Sequence, residues 1–130
     1  MDELTRTMAA SASGMAAQAA RLRLGSENIA NVDTPGYRRK TVSFETAFAA
    51  AGDPRAVRTG PVRLDRGELE RIYDPTHPLA GVDGSYLGSN VDLIVEIADA
   101  REANRSYEAN LRLFDQARQM ASSLLDLLRR

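Results

Sequence analysis

The chain has 130 residues, enough for one compact domain or for a small domain with extended helical arms. Its hydrophobic content is 43%, but much of that is alanine and aromatics are only 5%, so a lone globular monomer would bury little apolar area and be marginal. A net charge of −1 argues against a general electrostatic hold on nucleic acid or anionic membrane, leaving only local patches, and the lack of cysteine excludes disulfides, cysteine-bound zinc and thiol catalysis.

Asp2 and Glu3 stand where a cleaved secretory signal would carry basic residues, and no apolar run reaches the roughly 18 residues that span a bilayer. The expectation is a protein that stays in the cytoplasm or leaves it without a cleaved signal. From Leu4 to Ile29 the larger apolar residues are Leu4, Met8, Met15, Leu22 and Ile29, with Ala12 and Ala19 in the intervals. Spacings of three, four and seven place them in one helical stripe. Small flanking residues, Ala9, Ala16, Ala17 and Ala20, would let a second helix approach closely.

The helix should end by about Val32. Pro35 pushes Thr34 out of the α region, and Thr34-Pro35-Gly36-Tyr37 predicts a type II turn with Gly36 supplying the positive φ. Asn28, Asn31 and Asp33 can bond backbone groups that the helix end leaves unpaired. Beyond Lys40 the texture changes: residues 40–88 hold six of the nine glycines and four of the five prolines, which forbids long regular elements. Val42 and Phe44, then Val62 and Leu64, alternate with polar neighbours as in short half-buried strands. Leu69–Tyr73 is a third candidate. Thr46–Ala51 reads as a helical turn or loop, and 51–58 as a mobile segment.

From Asn90 to Arg130 the positions Leu93, Ile97, Ala100, Asn104, Tyr107, Leu111, Phe114, Arg118, Ala121, Leu125 and Leu128 alternate spacings of four and three. Nine of the eleven are apolar, which predicts a long coiled-coil helix. Asn104 and Arg118 are the polar seam positions that would fix register and partner number. Ser89 and Asp92 have capping-box spacing. The resulting fold class is mainly α: N- and C-terminal helices pairing as a coiled coil, with a small β-rich insert between them. The expected divisions are an assembly helix at 1–32, turn and insert at 33–88, and a C-terminal helix at 89–130.

No catalytic constellation is evident. His77, between Pro75 and Pro78, is the only histidine and reads as a turn residue. Asp92, Glu96 and Asp99 read as solvated charge on an exposed helix face. Arg38-Arg39-Lys40 reads as a solvated turn or a charged subunit contact. No catalytic, metal or cofactor site is expected, so the chain is not read as an enzyme.

Asn28-Ile29-Ala30-Asn31-Val32-Asp33-Thr34-Pro35-Gly36-Tyr37-Arg38 closely resembles the N-terminal signature of the bacterial flagellar axial proteins. Within that group the chain is most similar to the proximal members of the basal-body rod family. Tyr73-Asp74-Pro75-Thr76-His77-Pro78-Leu79-Ala80, Gly84-Ser85-Tyr86, Asn90-Val91-Asp92, Glu96 and Arg105-Ser106-Tyr107-Glu108-Ala109-Asn110 carry that likeness. Ser89 departs from the proline often found before Asn90, and 47–70 match no fixed pattern. The resemblance implies a structural subunit whose terminal helices pack with those of neighbours into a tubular rod that transmits torque through the periplasm. It also implies export by the flagellar type III apparatus without a cleaved signal. The implied partners are further copies, other rod proteins, the rod–ring adaptor FliE and the MS ring, with no nucleic acid and no direct membrane insertion. The assembly residues would be Asn28, Ile29, Asn31, Thr34, Pro35, Gly36, Tyr37 and Arg38 at the turn, together with the two helical stripes.

A generic cytoplasmic coiled-coil adaptor, with the insert binding a separate partner, is the alternative. On either reading the terminal helices of a free monomer should be largely disordered until neighbours bury their stripes.

Overall fold

The computed structural model describes residues 2–47 and 55–129. Helix α1 covers Glu3–Ala30 and helix α2 Leu93–Leu128; between them lie strands β1 (Lys40–Thr46), β2 (Val57–Leu64), β3 (Arg71–Tyr73) and β4 (Ser85–Leu87). The fold is mainly helical, as the sequence predicts: two long helices pack side by side, with two small sheets between them in the chain.

Asp2 caps α1, its carboxylate accepting the Thr5 amide at 2.7 Å. At the other end Asn31 closes the helix: its amide bonds the Glu27 and Asn28 carbonyls, and its side-chain Nδ2 bonds Glu27 O at 2.8 Å. The cap of α2 is Asp92, which accepts the Ile94 amide at 3.0 Å. Ser89 is not the cap that its spacing suggests. Its hydroxyl donates to Val32 O instead, so it joins the segment leaving α1 to the segment entering α2.

Contacts between Asn28 and Glu96, Arg21 and Glu102, and Gly14 and Asn110 show that the helices run antiparallel. The face of α2 turned to α1 contains Glu96, Ala100, Ala103, Tyr107, Asn110, Phe114, Ala117 and Ala121. Ala100, Tyr107, Phe114 and Ala121 belong to the stripe read from the sequence. Leu93, Ile97, Asn104, Leu111, Arg118, Leu125 and Leu128 do not face α1 and are exposed. The physical reason is the partner surface. α1 buries Ser11, Ala17, Leu24 and Asn28, a face of mostly small residues that favours small Ala103 and Ala117 opposite it. Leu4, Met8, Met15, Leu22 and Ile29 are half-buried along that face, while Ala12 and Ala19 are exposed. The 28 residues of α1 and 36 of α2 would span roughly 42 and 54 Å, so with this register Leu124–Leu128 overhang the start of α1.

β1 and β2 form an antiparallel pair, as do β3 and β4. Pairing shifts from Val42↔Val62 to Phe44↔Thr59, leaving Ser43 opposite Gly60 and Pro61. This bulge explains how a proline sits inside β2: it falls where the ladder is already interrupted. Ser13 of α1 anchors the hairpin by accepting the Val57 amide at 3.1 Å, beside buried Ala56. Two expectations for the insert change. Val57 and Arg58 are strand, not part of a mobile segment, and β4 is a fourth strand not foreseen. Thr46 ends β1, and the remainder of the 46–51 and 51–58 readings falls partly on 48–54, outside the described residues.

Gly14 marks the tight approach of the helices: a Cβ there would lie 2.8 Å from Asn110 Nδ2 and 2.9 Å from its Cγ. Gly14→Ala should therefore gain little of the roughly 1 kcal/mol that alanine offers inside a helix. With Asn110→Ala in place it should gain the full amount. Thermal or urea unfolding of the four-member cycle checks this; additive effects would contradict the close contact.

Candidate assembly joint

The chain leaves α1 through the predicted turn. Gly36 has φ +75°, and the Tyr37 amide bonds Thr34 O at 3.1 Å, the pattern of a type II turn. The Gly36 amide also reaches Leu87 O at 3.2 Å and Gly88 O at 3.0 Å, and the Asn90 amide reaches Tyr37 O at 3.4 Å. The strand of chain entering α2 thus runs beside the one leaving α1. Arg39 N donates to Asn90 Oδ1 at 2.6 Å, and Asn90 Nδ2 donates to Asp65 O at 3.0 Å. One turn ties together both helices and the insert.

Asn28 is the centre of this joint. Its side chain is 1% exposed and fully bonded. Oδ1 accepts the Tyr37 hydroxyl at 2.8 Å and the Lys40 amide at 2.9 Å; Nδ2 donates to Lys40 O at 2.9 Å and to Glu96 Oε1 at 3.3 Å. An aspartate could not supply both donors, and a leucine could supply none.

Glu96, 2% exposed, also accepts from Arg39 Nε, while Arg39 Nη2 pairs with Asp99 at 2.7 Å. Arg21 adds contacts to Asp99 at 3.5 Å and Glu102 at 3.4 Å. A cavity of about 170 Å³ adjoins the group, lined in part by Arg21, Leu24, Gly25, Arg39, Thr41 and Asp99. Burial works against the Arg39 charge, but the hydrogen bond to Glu96 and the fields of Glu96 and Asp99 outweigh it, raising its pKa above the ordinary value. Burial, reinforced by Glu27 and Glu96, likewise raises the Tyr37 phenol above 10.0, with Lys40 partly opposing. A hydrogen bond from Lys40 to Glu27 at 2.5 Å raises the Lys40 pKa.

These contacts overturn two readings. Glu96 is buried, not solvated, because it faces α1 where Arg39 and Asn28 converge; Asp99 is paired rather than free. The basic cluster is also internal. Arg39 serves Glu96 and Asp99, Lys40 serves Glu27, and Arg38 Nη1 donates to Asp65 O at 3.1 Å and Gly67 O at 2.9 Å. Of the turn residues singled out, Asn28, Asn31, Thr34, Gly36, Tyr37 and Arg38 share this bonded network, Thr34 through its hydroxyl to Asn31 Oδ1 at 3.0 Å. Ile29 and Pro35 are half-buried beside it. Asn90 and Glu96 were missed as joint residues. His77 lies in a turn, accepting the Leu79 amide on Nδ1 at 3.1 Å. Among the described residues no group of three or more histidines or carboxylates could hold a metal.

Two family descriptions match the two ends that meet here: "Flagella basal body rod protein" over 8–38 and "Flagellar basal body rod FlgEFG protein C-terminal" over 82–127. The flagellar basal-body rod protein FlgC of Agrobacterium fabrum is 42% identical, covering 99% of this chain and 98% of its own length. The chain belongs to the FlgC family. FlgC of Salmonella typhimurium is 31% identical over 88% of this chain and 90% of its own, and FlgC of Bacillus subtilis 31% over 90% and 93%. Membership makes the chain a structural subunit of the flagellar basal-body rod, assembling with other rod proteins there, in a family not known for catalysis. Both matched segments enclose residues of the joint: 8–38 contains Asn28 and Tyr37, and 82–127 contains Asn90 and Glu96.

Arg39→Ala should cost about 3–5 kcal/mol in urea unfolding by stranding the Glu96 charge, and adding Glu96→Gln should recover part of that loss. A double variant weaker than the single would contradict the pairing. Tyr37→Phe should cost about 1 kcal/mol near neutrality through the lost bond to Asn28. Because the folded phenol titrates above the unfolded one, native stability falls as pH climbs past 10, and the gap to Tyr37→Phe should narrow there. A gap that stays constant from pH 7 to 11 would argue against the shift.

Proposed function

We propose that this FlgC-family chain builds the proximal rod through the faces of its terminal helices that the monomer leaves uncovered, with the joint fixing the angle at which those faces are presented. The observation that carries this reading is the uncovered leucine surface of α2. Leu111, Leu124, Leu125, Leu127 and Leu128 are exposed, the last at 81%, and the final four lie where α2 runs past the start of α1. Taking a leucine from full exposure to full burial is worth about 1.5–3 kcal/mol, and covering several part-exposed leucines together outweighs a single surface ion pair. The overhanging Leu124–Leu128 has no part of α1 beside it and needs another molecule.

On this reading the partners are further copies, neighbouring rod proteins, FliE and the MS ring. The chain passes through the flagellar type III export apparatus without a cleaved signal and works in the periplasm, transmitting torque. The outer seam residues, Leu93, Ile97, Asn104, Leu111, Arg118, Leu125 and Leu128, meet neighbours, and so do the half-buried Leu4, Met8, Met15 and Leu22. Among the turn residues, Asn28, Ile29, Asn31, Thr34, Pro35, Gly36, Tyr37 and Arg38 set the geometry. The joint holds the paired parts of the helices together on this reading, so the disorder expected of both terminal helices in a free monomer narrows to their distal ends, whose ordering is coupled to assembly.

Deleting 124–130 should leave the protein synthesised but absent from isolated basal bodies, and the cells non-motile. Normal motility with that truncation would overturn the proposal. A tagged chain found in the soluble cytoplasm and never in basal bodies would favour the adaptor reading instead.

A further inference from the structure

Tyr73–Ser85 closes the β3–β4 hairpin and takes no part in the joint. Its own side chains hold it rigid. Asp74 Oδ1 accepts the Thr76 amide at 3.1 Å and hydroxyl at 2.7 Å; Asp83 accepts the Ser85 amide at 3.2 Å and hydroxyl at 2.7 Å and pairs with Arg71 at 2.9 Å. The His77 ring stacks on Tyr86 with centroids 3.9 Å apart. Yet this ordered tip turns Leu79, at 63% exposure, and fully exposed Val82 to solvent. An apolar tip already fixed in shape loses little conformational entropy when something covers it. Side-chain bonds from Thr76 and Ser85 hold the Asp74 and Asp83 carboxyls below the ordinary range; Asp83 shares its charge with Arg71, and Asp74 makes no ion pair among the described residues.

A surface of opposite character lies on the first turns of α2. Ile94, Ile97 and Ala98 form the floor of a shallow groove edged by Arg101, Arg105 and Glu102, the last of which is paired with Arg21 at 3.4 Å. Ile94 and Ile97 are exposed, and the two arginines make no ion pair among the described residues. We propose that the hairpin tip of one copy seats Leu79 and Val82 in the Ile94–Ile97–Ala98 groove of a neighbouring copy, with Asp74 and Asp83 toward Arg101 and Arg105. A second copy is the occupant because one chain carries both halves of an apolar and charge-complementary pair. Such a contact is heterologous: each molecule offers its tip to one neighbour and its groove to another, which generates a ring or a helical array. The inference rests on the rod reading above and names two of the surfaces that would meet.

The absence of cysteine in the native sequence makes a clean test. Leu79→Cys and Ile97→Cys, carried on separate differently tagged copies in one cell, should give a mixed disulfide in oxidised basal bodies that neither variant gives alone. Both variants present without that disulfide, or the Leu79→Cys copy joined to a different protein, overturns the contact while leaving the rod reading intact. Native protein absent from basal bodies would instead defeat the rod reading. As a second measurement, Val82→Lys places like charge against the arginines and should lower incorporation about tenfold. Adding Arg101→Glu and Arg105→Glu should restore it. Native-level incorporation of Val82→Lys, or no recovery in the triple variant, overturns the contact.

Discussion

Burying the Glu96 carboxylate between two helices is the constraint that the rest of the fold answers. A charge removed from water must be paired and fully bonded, and here Arg39 and Asn28 meet that need from a turn and a helix end. Satisfying them fixes a great deal at once. Asn28 can bond Glu96 only if the last turn of α1 lies beside the first turns of α2. It can bond the Lys40 backbone only if the chain reverses within the Thr34–Tyr37 turn. The polar node thus specifies helix register and the direction in which the insert leaves, a specificity that a purely apolar contact between alanine-rich faces would not supply.

The remainder of the helix pair has a different character. Its buried apolar residues include Ala17, Ala103 and Ala117, and the missing side chain of Gly14 leaves room for Asn110. Small residues give close packing but little buried area. The leucines and isoleucines of α2 are left exposed, while Tyr107 and Phe114 are half-buried on the face toward α1. On the function proposed above, this division suits a subunit whose stability is completed by its neighbours: the joint would set shape, and the uncovered leucines would supply the driving force for polymerisation.

Much of this was legible in the residues. Pro35 and Gly36 forced the turn, and the length of α2 followed from its sustained periodicity. The facing side of α2 was harder. Ala100, Tyr107, Phe114 and Ala121 lie on the boundary between two stripes one residue apart, and periodicity weighted by side-chain size favoured Ile97 and Leu111 over Ala103 and Asn110. Only the small-residue face of α1 decides between them. Glu96 was read as solvated because its partner Arg39 lies 57 positions away, a separation that no local pattern reports. The sequence clue was available in the convergence of an Asn at one helix end with acids at the start of the other. Ser85–Leu87 gave no strand signal because three residues are too short to show alternation; its pairing with β3 comes from the hairpin as a whole.

Amide hydrogen exchange on dilute monomer, repeated on assembled basal bodies, tests the division between joint and outer face most directly. The account predicts slow exchange at Gly36, Arg39 and Lys40 and through Ala100–Tyr107 in the monomer, with rapid exchange at Leu124–Leu128 that becomes slow on assembly. Equal strong protection from Ala100 to Leu128 in the dilute monomer, or free exchange at the joint amides, would contradict it.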